Sequence, residues 1–297
     1  MDIRLTRTHA IYQPGEVVDG FIVFDETVKR KHMGITIKAE GSLHLHSTRD
    51  SSDSLSSVAG STKLLSVEFV VQDQGKLPDG PIELPFQLLL EPLPGQRLFE
   101  TYSGVYVSIS YTLTAYLQGG LFGKSLEKSI DLFIYTLSPP SAGKSIDFVV
   151  SRESLLERGS EVPETIPDFL IEGHIDDVVC DLCKPLTGHF TIKKCESRIK
   201  SIDIQLLRVE TVGKIKNDGQ RESTEIMNLQ LAADHPPFDL EIPLFLLFPK
   251  MFVCSTTEGD AFRLQFQLNL TVTFENNLFI SEAVGLKTWR SSIMDIY

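Results

Sequence analysis

The chain has 297 residues, which is enough for two domains of roughly 150 residues that each bury a core of their own. Its net charge of −12 at pH 7 opposes direct binding to nucleic acid, and it opposes membrane binding without a partner. The sequence has neither a secretory signal nor an apolar run of about 18 residues, so we expect a cytoplasmic protein.

Short segments with alternating apolar residues make up most of the first half of the chain. This period of two indicates β-strands that are buried on one face. Gly20 interrupts one segment at a position where close packing or a bulge is expected. Residues 46–63 are rich in Ser and lack any period, which predicts a mobile hairpin loop. The predicted strands are residues 2–5, 17–24, 33–45, 64–71, 86–90, 105–117 and 126–137.

The longest alternation occurs twice, once late in each half of the chain. Two long half-buried strands in corresponding places predict one all-β plan used twice. In the first strand the apolar positions are Val105, Val107, Ile109, Tyr111, Leu113, Ala115 and Leu117. In the second strand they are Phe262, Leu264, Phe266, Leu268, Leu270, Val272 and Phe274.

Residues 138–145 separate the two halves, because tandem proline extends the chain there and the neighbouring Ser and Gly residues favour exposure. We therefore predict an N-terminal domain at residues 1–137, a linker at 138–145 and a C-terminal domain at 146–297. In the second half the patterns predict one or two helical turns at residues 152–158. They predict strands at residues 146–150, 169–175, 185–192, 199–212, 226–231, 240–247, 261–274 and 279–289.

The two halves also share local spacings. Gly188 precedes Ile202 and Ile204 by nearly the same number of residues as Gly20 precedes Ile35 and Ile37. The predicted fold class is therefore all-β, with two tandem β-sandwich domains of about seven strands each.

Two short motifs resemble ligand sites. The segment from Gly119 to Ser125 resembles a phosphate loop, but it is one residue short and joins two predicted strands, which favours a hairpin turn. Cys180 and Cys183 have the spacing of a metal knuckle, yet a second pair is missing, so two ordinary thiols are the simpler interpretation. The sequence contains no nucleophile elbow or metalloprotease helix. We predict no enzyme activity, no metal and no cofactor.

Three other segments contain residue types that occur at contact sites or catalytic sites. The basic run from Lys29 to His32 fits an acidic partner or a lipid headgroup, although a solvated turn between strands is the commoner structure. His44 and His46 alternate with leucines, which predicts that they lie on the exposed side of a strand. The segment from Leu64 to Glu68 resembles a clathrin-binding peptide, but it begins a predicted strand instead of lying in a free tail.

Two signatures resemble those of the arrestin fold. The first lies near the start of the chain and the second before the end of the first half. Together they imply two tandem β-sandwiches, in agreement with the strand patterns. The first comprises Tyr12, Pro14, Gly15, Glu16, Val18 and Gly20, and the second comprises Tyr102, Gly104, Ile109 and Tyr111.

Within that superfamily the chain resembles the vacuolar protein sorting 26 family, and most of all its C-type paralogue, the arrestin-like subunit of retriever. The sequence departs from the C-type at two places. Thr288 to Arg290 is more similar to the retromer paralogues, and His235 to Pro237 replaces a Gly-containing turn. The matching segments are residues 100–113, 204–211, 224–226, 229–232 and 248–252, with Cys254.

The resemblance implies a non-enzymatic scaffold that returns membrane cargo from endosomes to the cell surface. It implies binding to one end of a large α-solenoid subunit that carries a metallophosphatase-fold subunit at its other end. A cargo-selecting sorting nexin and a COMMD-containing complex are further implied partners. The expected location is cytoplasmic and peripheral on endosomes, with membrane association only through partners.

The resemblance also suggests where the solenoid binds. In the retromer paralogues a turn presents an apolar pair followed by Asp-Gly to the solenoid. The matching residues follow the predicted strand at 226–231, with an exposed Leu beside small residues and a polar rim. An ordinary hairpin turn is the alternative interpretation. The predicted partner-binding residues are Leu231, Ala232, Ala233, Asp234 and His235.

A free-standing arrestin-type adaptor that binds receptors directly is the alternative function. Such adaptors usually have Pro-Pro-x-Tyr or clathrin-binding peptides in a long tail. Neither Pro139-Pro140 nor Pro236-Pro237 is followed by x-Tyr, and the sequence ends at Tyr297 soon after the last predicted strand.

Overall fold

A computed structural model describes residues 1–25, 30–46, 58–120, 123–138, 142–157, 163–213, 219–250 and 252–292. The chain divides into two compact units, Met1–Thr136 and Leu137–Tyr297. Each unit consists of β-sheets, and the described residues contain a single helix of six residues.

The described residues of the first unit form two sheets. A three-stranded sheet has the order β1-β3-β6, and a larger sheet has the order β2-β9-β8-β4-β5, with β7 beside β8. Neighbouring strands are antiparallel except for β2 and β9. The strands are β1 (Asp2–Leu5), β2 (Ile11–Tyr12), β3 (Val17–Phe24), β4 (Arg30–His46), β5 (Val58–Leu77), β6 (Ile82–Leu89), β7 (Tyr102–Ser103), β8 (Val107–Gly119) and β9 (Leu126–Ile134).

Strand β8 lies inside the larger sheet, between β4 and β9, and it forms the centre of the first core. Its residues from Val107 to Leu117 are buried at every second position, as the period of two predicts. The hydroxyl of Tyr111 donates a 2.8 Å hydrogen bond to the carbonyl of Phe99. Val105 precedes the strand and is exposed, so the prediction that it joins the buried face was wrong.

The second unit follows the same plan. One sheet has the order β10-β11-β13-β16, and the other has the order β12-β19-β18-β14-β15, with β17 beside β18. The long strand β18 buries every second residue from Phe262 to Phe274. The elements are β10 (Ile146–Ser151), α1 (Arg152–Glu157), β11 (Phe169–Ile175), β12 (Val179–Asp181), β13 (Leu186–Cys195), β14 (Ile199–Val212), β15 (Gln220–Ala233), β16 (Glu241–Leu246), β17 (Thr257–Glu258), β18 (Phe262–Phe274) and β19 (Phe279–Trp289).

Gly20 and Gly188 have equivalent places in the two units. Each lies on an inner strand of the smaller sheet, β3 or β13. A Cβ atom on Gly20 would be 2.4 Å from the carbonyl oxygen of Arg4, and one on Gly188 would be 2.2 Å from that of His174. Both positions therefore require glycine because a neighbouring backbone approaches closely.

The protein is all-β, with two arrestin-like tandem β-sandwiches, and this predicted fold class is confirmed. The described residues form nine strands in the first unit and ten in the second, against about seven predicted for each. The additional strands include β2, β7, β12 and β17, which have only two or three residues. A pair of residues cannot display a period of two, so these strands have no sequence signal.

Several predicted boundaries were wrong at the edges of the sheets. Strand β5 begins at Val58 instead of Leu64, so only residues 47–57 of the predicted loop remain, and they lie outside the described residues. Strand β15 begins at Gln220 instead of Ile226. Both are edge strands. Because their faces are only weakly buried, apolar and polar residues alternate less strictly along them. Residues 139–141 of the predicted linker also lie outside the described residues.

Candidate partner-binding surface

Strand β15 is an edge strand of the larger sheet in the second unit. It pairs with β14 on one side, and none of its fourteen residues is fully buried. Its apolar residues other than Ala233 are half-buried, namely Ile226, Met227, Leu229, Leu231 and Ala232. A long edge strand with half-exposed apolar side chains is a surface on which another chain can pack.

Two register shifts against β14 bend this strand. Ile202 pairs with Ala232 and Asp203 pairs with Gln230, so Leu231 has no residue directly opposite. A second register shift likewise leaves Ile226 without a residue directly opposite. Bulges of this kind change the direction of a side chain and increase the local twist. They explain why apolar residues on β15 depart from strict alternation.

The strand ends in a tight turn at Asp234 and His235. Both residues have a left-handed backbone, with φ of 54° and 60°. The Asp234 amide donates to the carbonyl of Lys200 at 3.2 Å, and the His235 amide donates to that of Ile199 at 2.9 Å. The Ile199 amide in turn donates to Nδ1 of His235 at 3.3 Å. Hydrogen bonds donated in both directions therefore hold the turn against the start of β14.

The five predicted partner-binding residues lie together, but not as the sequence predicted. Strand β15 continues through Ala233, so the turn begins at Asp234 and not at Leu231. Leu231 is half-buried instead of exposed, whereas Ala233 and Asp234 are exposed. Their role in binding is not tested by the geometry and stays a prediction.

Four exposed apolar residues that follow this turn in the chain were missed in the sequence. Phe238 and Leu240 lie between β15 and β16, Phe245 lies in β16, and Leu247 directly follows that strand. The ring of Phe238 contacts that of His235, with centroids 5.4 Å apart. The alternation along β16 could have predicted the exposure of Phe245. Every second residue from Ile242 is buried, so Phe245 lies on the opposite, exposed face.

The two motifs that resemble ligand sites lie at a connection between two strands and at a buried cysteine. Residues 119–125 connect β8 and β9, which pair as an antiparallel hairpin up to Leu117 and Leu126. Burial raises the pKa of the Cys180 thiol to about 12, with a further contribution from the Asp177 charge, so this thiol is protonated at neutral pH. Within the described residues, no group of three or more His, Cys, Asp or Glu side chains is placed to bind a metal ion.

The other proposed contact segments lie within strands. Arg30 to His32 begin β4, and His32 is buried, so the predicted solvated turn is wrong for these residues; Lys29 lies outside the described residues. His44 is half-buried on the same strand. Leu64 and Leu65 are buried inside β5, which prevents this segment from acting as a free clathrin-binding peptide.

The arrestin-type signature near the start of the chain forms a local polar cluster. The Arg7 guanidinium lies 4.5 Å above the ring of Tyr12 and donates a 2.9 Å hydrogen bond to the Glu16 carboxylate. Glu16 also accepts a hydrogen bond from the Gln13 amide. Burial acts to raise the pKa of Glu16, but Arg7 and the Gln13 amide outweigh it and lower the pKa. Gly15, with φ of 82°, closes the turn.

No helix among the described residues has the length and the apolar character needed to cross a membrane. The profile of the Vps26 family, described as vacuolar protein sorting-associated protein 26, matches residues 3–277. The chain is 32% identical over 305 aligned positions to a protein of Dictyostelium discoideum named vacuolar protein sorting-associated protein 26C, and the alignment covers 98% of this chain and 99% of that protein. The family predicted from the motifs is confirmed, and the chain belongs to the vacuolar protein sorting-associated protein 26 family.

Proposed function

We propose that the protein is a non-enzymatic scaffold subunit of the retriever endosomal recycling complex. The observation behind this proposal is the similarity to a C-type relative along 98% of the chain. A match of that extent includes both sandwiches and the segment between them. It supports a sorting role for the whole chain rather than for one domain.

The proposed main partner is the large α-solenoid subunit, bound at the end of β15. Ala232 and Ala233 are small, so the backbone of a partner helix can approach closely there. Half-buried Leu231 and exposed Phe238 supply apolar area for the centre of a contact. Asp234 is exposed and belongs to a polar rim. An apolar centre with a polar rim is the usual anatomy of a specific interface.

The remaining partners follow from membership of that complex. The solenoid would link the protein to a metallophosphatase-fold subunit, and a sorting nexin would select the cargo. A COMMD-containing complex would associate with the assembly. The net charge of −12 supports recruitment to endosomes through these partners instead of direct contact with anionic lipid.

The test is co-purification of the solenoid subunit with the 297-residue chain and its variants. Leu231→Asp should abolish co-purification, because a carboxylate at the centre of a dry contact remains without a partner. Asn228→Asp is the matched control, since it places the same charge at an exposed position of the same strand. It should leave binding unchanged.

Ala233→Arg gives an independent test, because Ala233 is exposed and its replacement does not disturb the core. The large side chain should block close approach of the solenoid without lowering the thermal melt. Undiminished binding by both Leu231→Asp and Ala233→Arg would refute the proposed contact. Recovery of a receptor or a ubiquitin ligase from cells, with no solenoid subunit, would refute the retriever assignment and favour the free-standing adaptor.

A further inference from the structure

A small cavity lies in the second unit, where β12 runs parallel to the end of β19. Its volume is about 280 Å³. Pockets for drug-sized ligands usually have volumes of about 300–1,000 Å³, so this cavity has the size for one side chain. Its lining includes Asp177, Asp181, Lys184 and the indole of Trp289.

Asp181 is the charged group that sets the character of this cavity. Its side chain is only 5% exposed. One carboxylate oxygen, Oδ1, accepts hydrogen bonds from the amides of Cys183 at 3.1 Å and Ser291 at 3.2 Å. The other oxygen, Oδ2, has no hydrogen-bond partner in the described part of the chain. A buried carboxylate oxygen without a hydrogen bond is costly, and it favours a cationic donor.

The carboxylate of Asp181 is ionised at neutral pH. Burial acts to raise its pKa, but hydrogen bonds from Ser291 and from the Cys183 amide, together with the charge of Lys184, outweigh burial and lower the pKa. The ammonium group of Lys184 lies 3.6 Å from Oδ2, and the Lys184 side chain is 72% exposed. Lys184 thus covers the carboxylate loosely and is free to move into solvent.

Trp289 is the aromatic residue that lines this cavity. Its position is fixed, because Nε1 donates a 3.1 Å hydrogen bond to the carbonyl of Val179. A guanidinium group fits such a site better than an ammonium group does. Its N–H groups can donate to Oδ2, the carboxylate oxygen without a hydrogen bond in the described part of the chain, while its planar face stacks on an aromatic ring.

We infer that this cavity binds the guanidinium group of an arginine side chain presented by a partner protein, which displaces the Lys184 ammonium from Asp181. The inference does not depend on the solenoid contact at β15. The inference gives the segment from Cys180 to Cys183 a role in binding. This segment contains Asp181, which lies beside Trp289 because strands β12 and β19 are paired.

Trp289 is the single tryptophan of the chain, so its intrinsic fluorescence reports on this cavity alone. The 297-residue chain would be titrated with acetyl-arginine methylamide, which mimics an arginine within a peptide. We expect a saturable change in fluorescence. The neutral isostere acetyl-citrulline methylamide should bind at least about tenfold more weakly, because it lacks the positive charge that strengthens hydrogen bonds to a carboxylate. Equal responses to the two compounds would overturn the inference.

Two variants sharpen the test. Lys184→Gln should tighten binding of the arginine compound several-fold, because the competing ammonium is removed. Lys287→Gln is its matched control, since Lys287 is an exposed lysine on β19 and does not line the cavity. It should change the affinity by less than about twofold, because exposed charges contribute little. No saturable change in either the wild type or Lys184→Gln would refute the site.

Asp181→Asn should weaken binding of the arginine compound at least about tenfold. If this variant does not fold, Lys184→Gln and the citrulline comparison still decide the matter. Free L-arginine separates the two sources of a guanidinium group. Tighter binding of free L-arginine than of the blocked compound would contradict a partner side chain and assign the cavity to a free metabolite.

Discussion

Replacing Ile109 with Asp tests the core of the first unit directly. Ile109 is 1% exposed on the inner strand β8. It lies opposite Leu43 of β4 and Tyr102 of β7, and both of these residues are buried. The substitution removes a buried hydrocarbon side chain and puts a carboxyl group in its place.

The loss in stability has two parts. Burial of an isoleucine side chain contributes about 1.5–3 kcal/mol, which is lost. A buried carboxyl group takes up a proton at pH 7, and this costs about 4 kcal/mol because its ordinary pKa lies about three units lower and each unit is worth about 1.4 kcal/mol. The combined cost of about 6 kcal/mol is a large part of the roughly 5–15 kcal/mol that stabilises a domain.

Urea unfolding of the full chain, followed by circular dichroism, measures this loss. Ile109→Asp should remove the cooperative transition of the first unit or move it close to zero urea. Ser110→Asp is the control, because Ser110 is exposed on the opposite face of the same strand. It should cost about 1 kcal/mol or less. Equal losses for the two variants would show that the buried face of β8 has been assigned incorrectly.

Leu268→Asp in β18 should likewise unfold the second unit in urea, whereas exposed Gln265→Asp should not, and equal midpoints would contradict the burial pattern. Burial lowers the pKa of His32 from its ordinary 6.5. The contribution of the neutral ring to the free energy of unfolding is therefore fully present above pH 6.5, and it is lost as the pH falls through the lower pKa of the folded state. Thermal melts of His32→Leu should therefore depend less on pH than those of the wild type, and parallel curves would refute this. Asp234→Gly should stabilise the chain in urea by up to about 1 kcal/mol, because glycine adopts the left-handed backbone without strain; a lower midpoint would contradict this. Limited proteolysis should cut within residues 138–145, and fragments that end inside β8 or β18 would contradict the proposed domain boundary.

The sequence by itself determined the fold class and the long inner strands. Residues from Val107 to Leu117 and from Phe262 to Phe274 show a strict period of two because each strand is buried on one face along its whole length. Gly20 and Gly188 were also recognisable, since a glycine inside a strand indicates a close backbone approach. The family was recognisable from motifs in both halves of the chain.

The extent of the edge strands was not readable from the sequence. Strand β15 has no fully buried residue, and two bulges change the phase of its side chains. Leu231 therefore gave a local pattern that fits either the end of a strand or an exposed turn. Its half-buried state depends on its register with β14, which is a property of strand pairing and not of local composition.

Only the tertiary structure decided which distant residues share a site. Asp181 and Trp289 lie far apart in the chain but become neighbours because β12 pairs in parallel with β19. Cys180 and Cys183 have the spacing of a metal knuckle, and the sequence favoured two ordinary thiols. The structure buries Cys180 and leaves Oδ2 of Asp181, which lies between the two cysteines, buried without a hydrogen bond in the described part of the chain. The reason is physical: periodicity reports which face of a strand is buried, whereas contacts between strands depend on loop closure and register across the whole sheet.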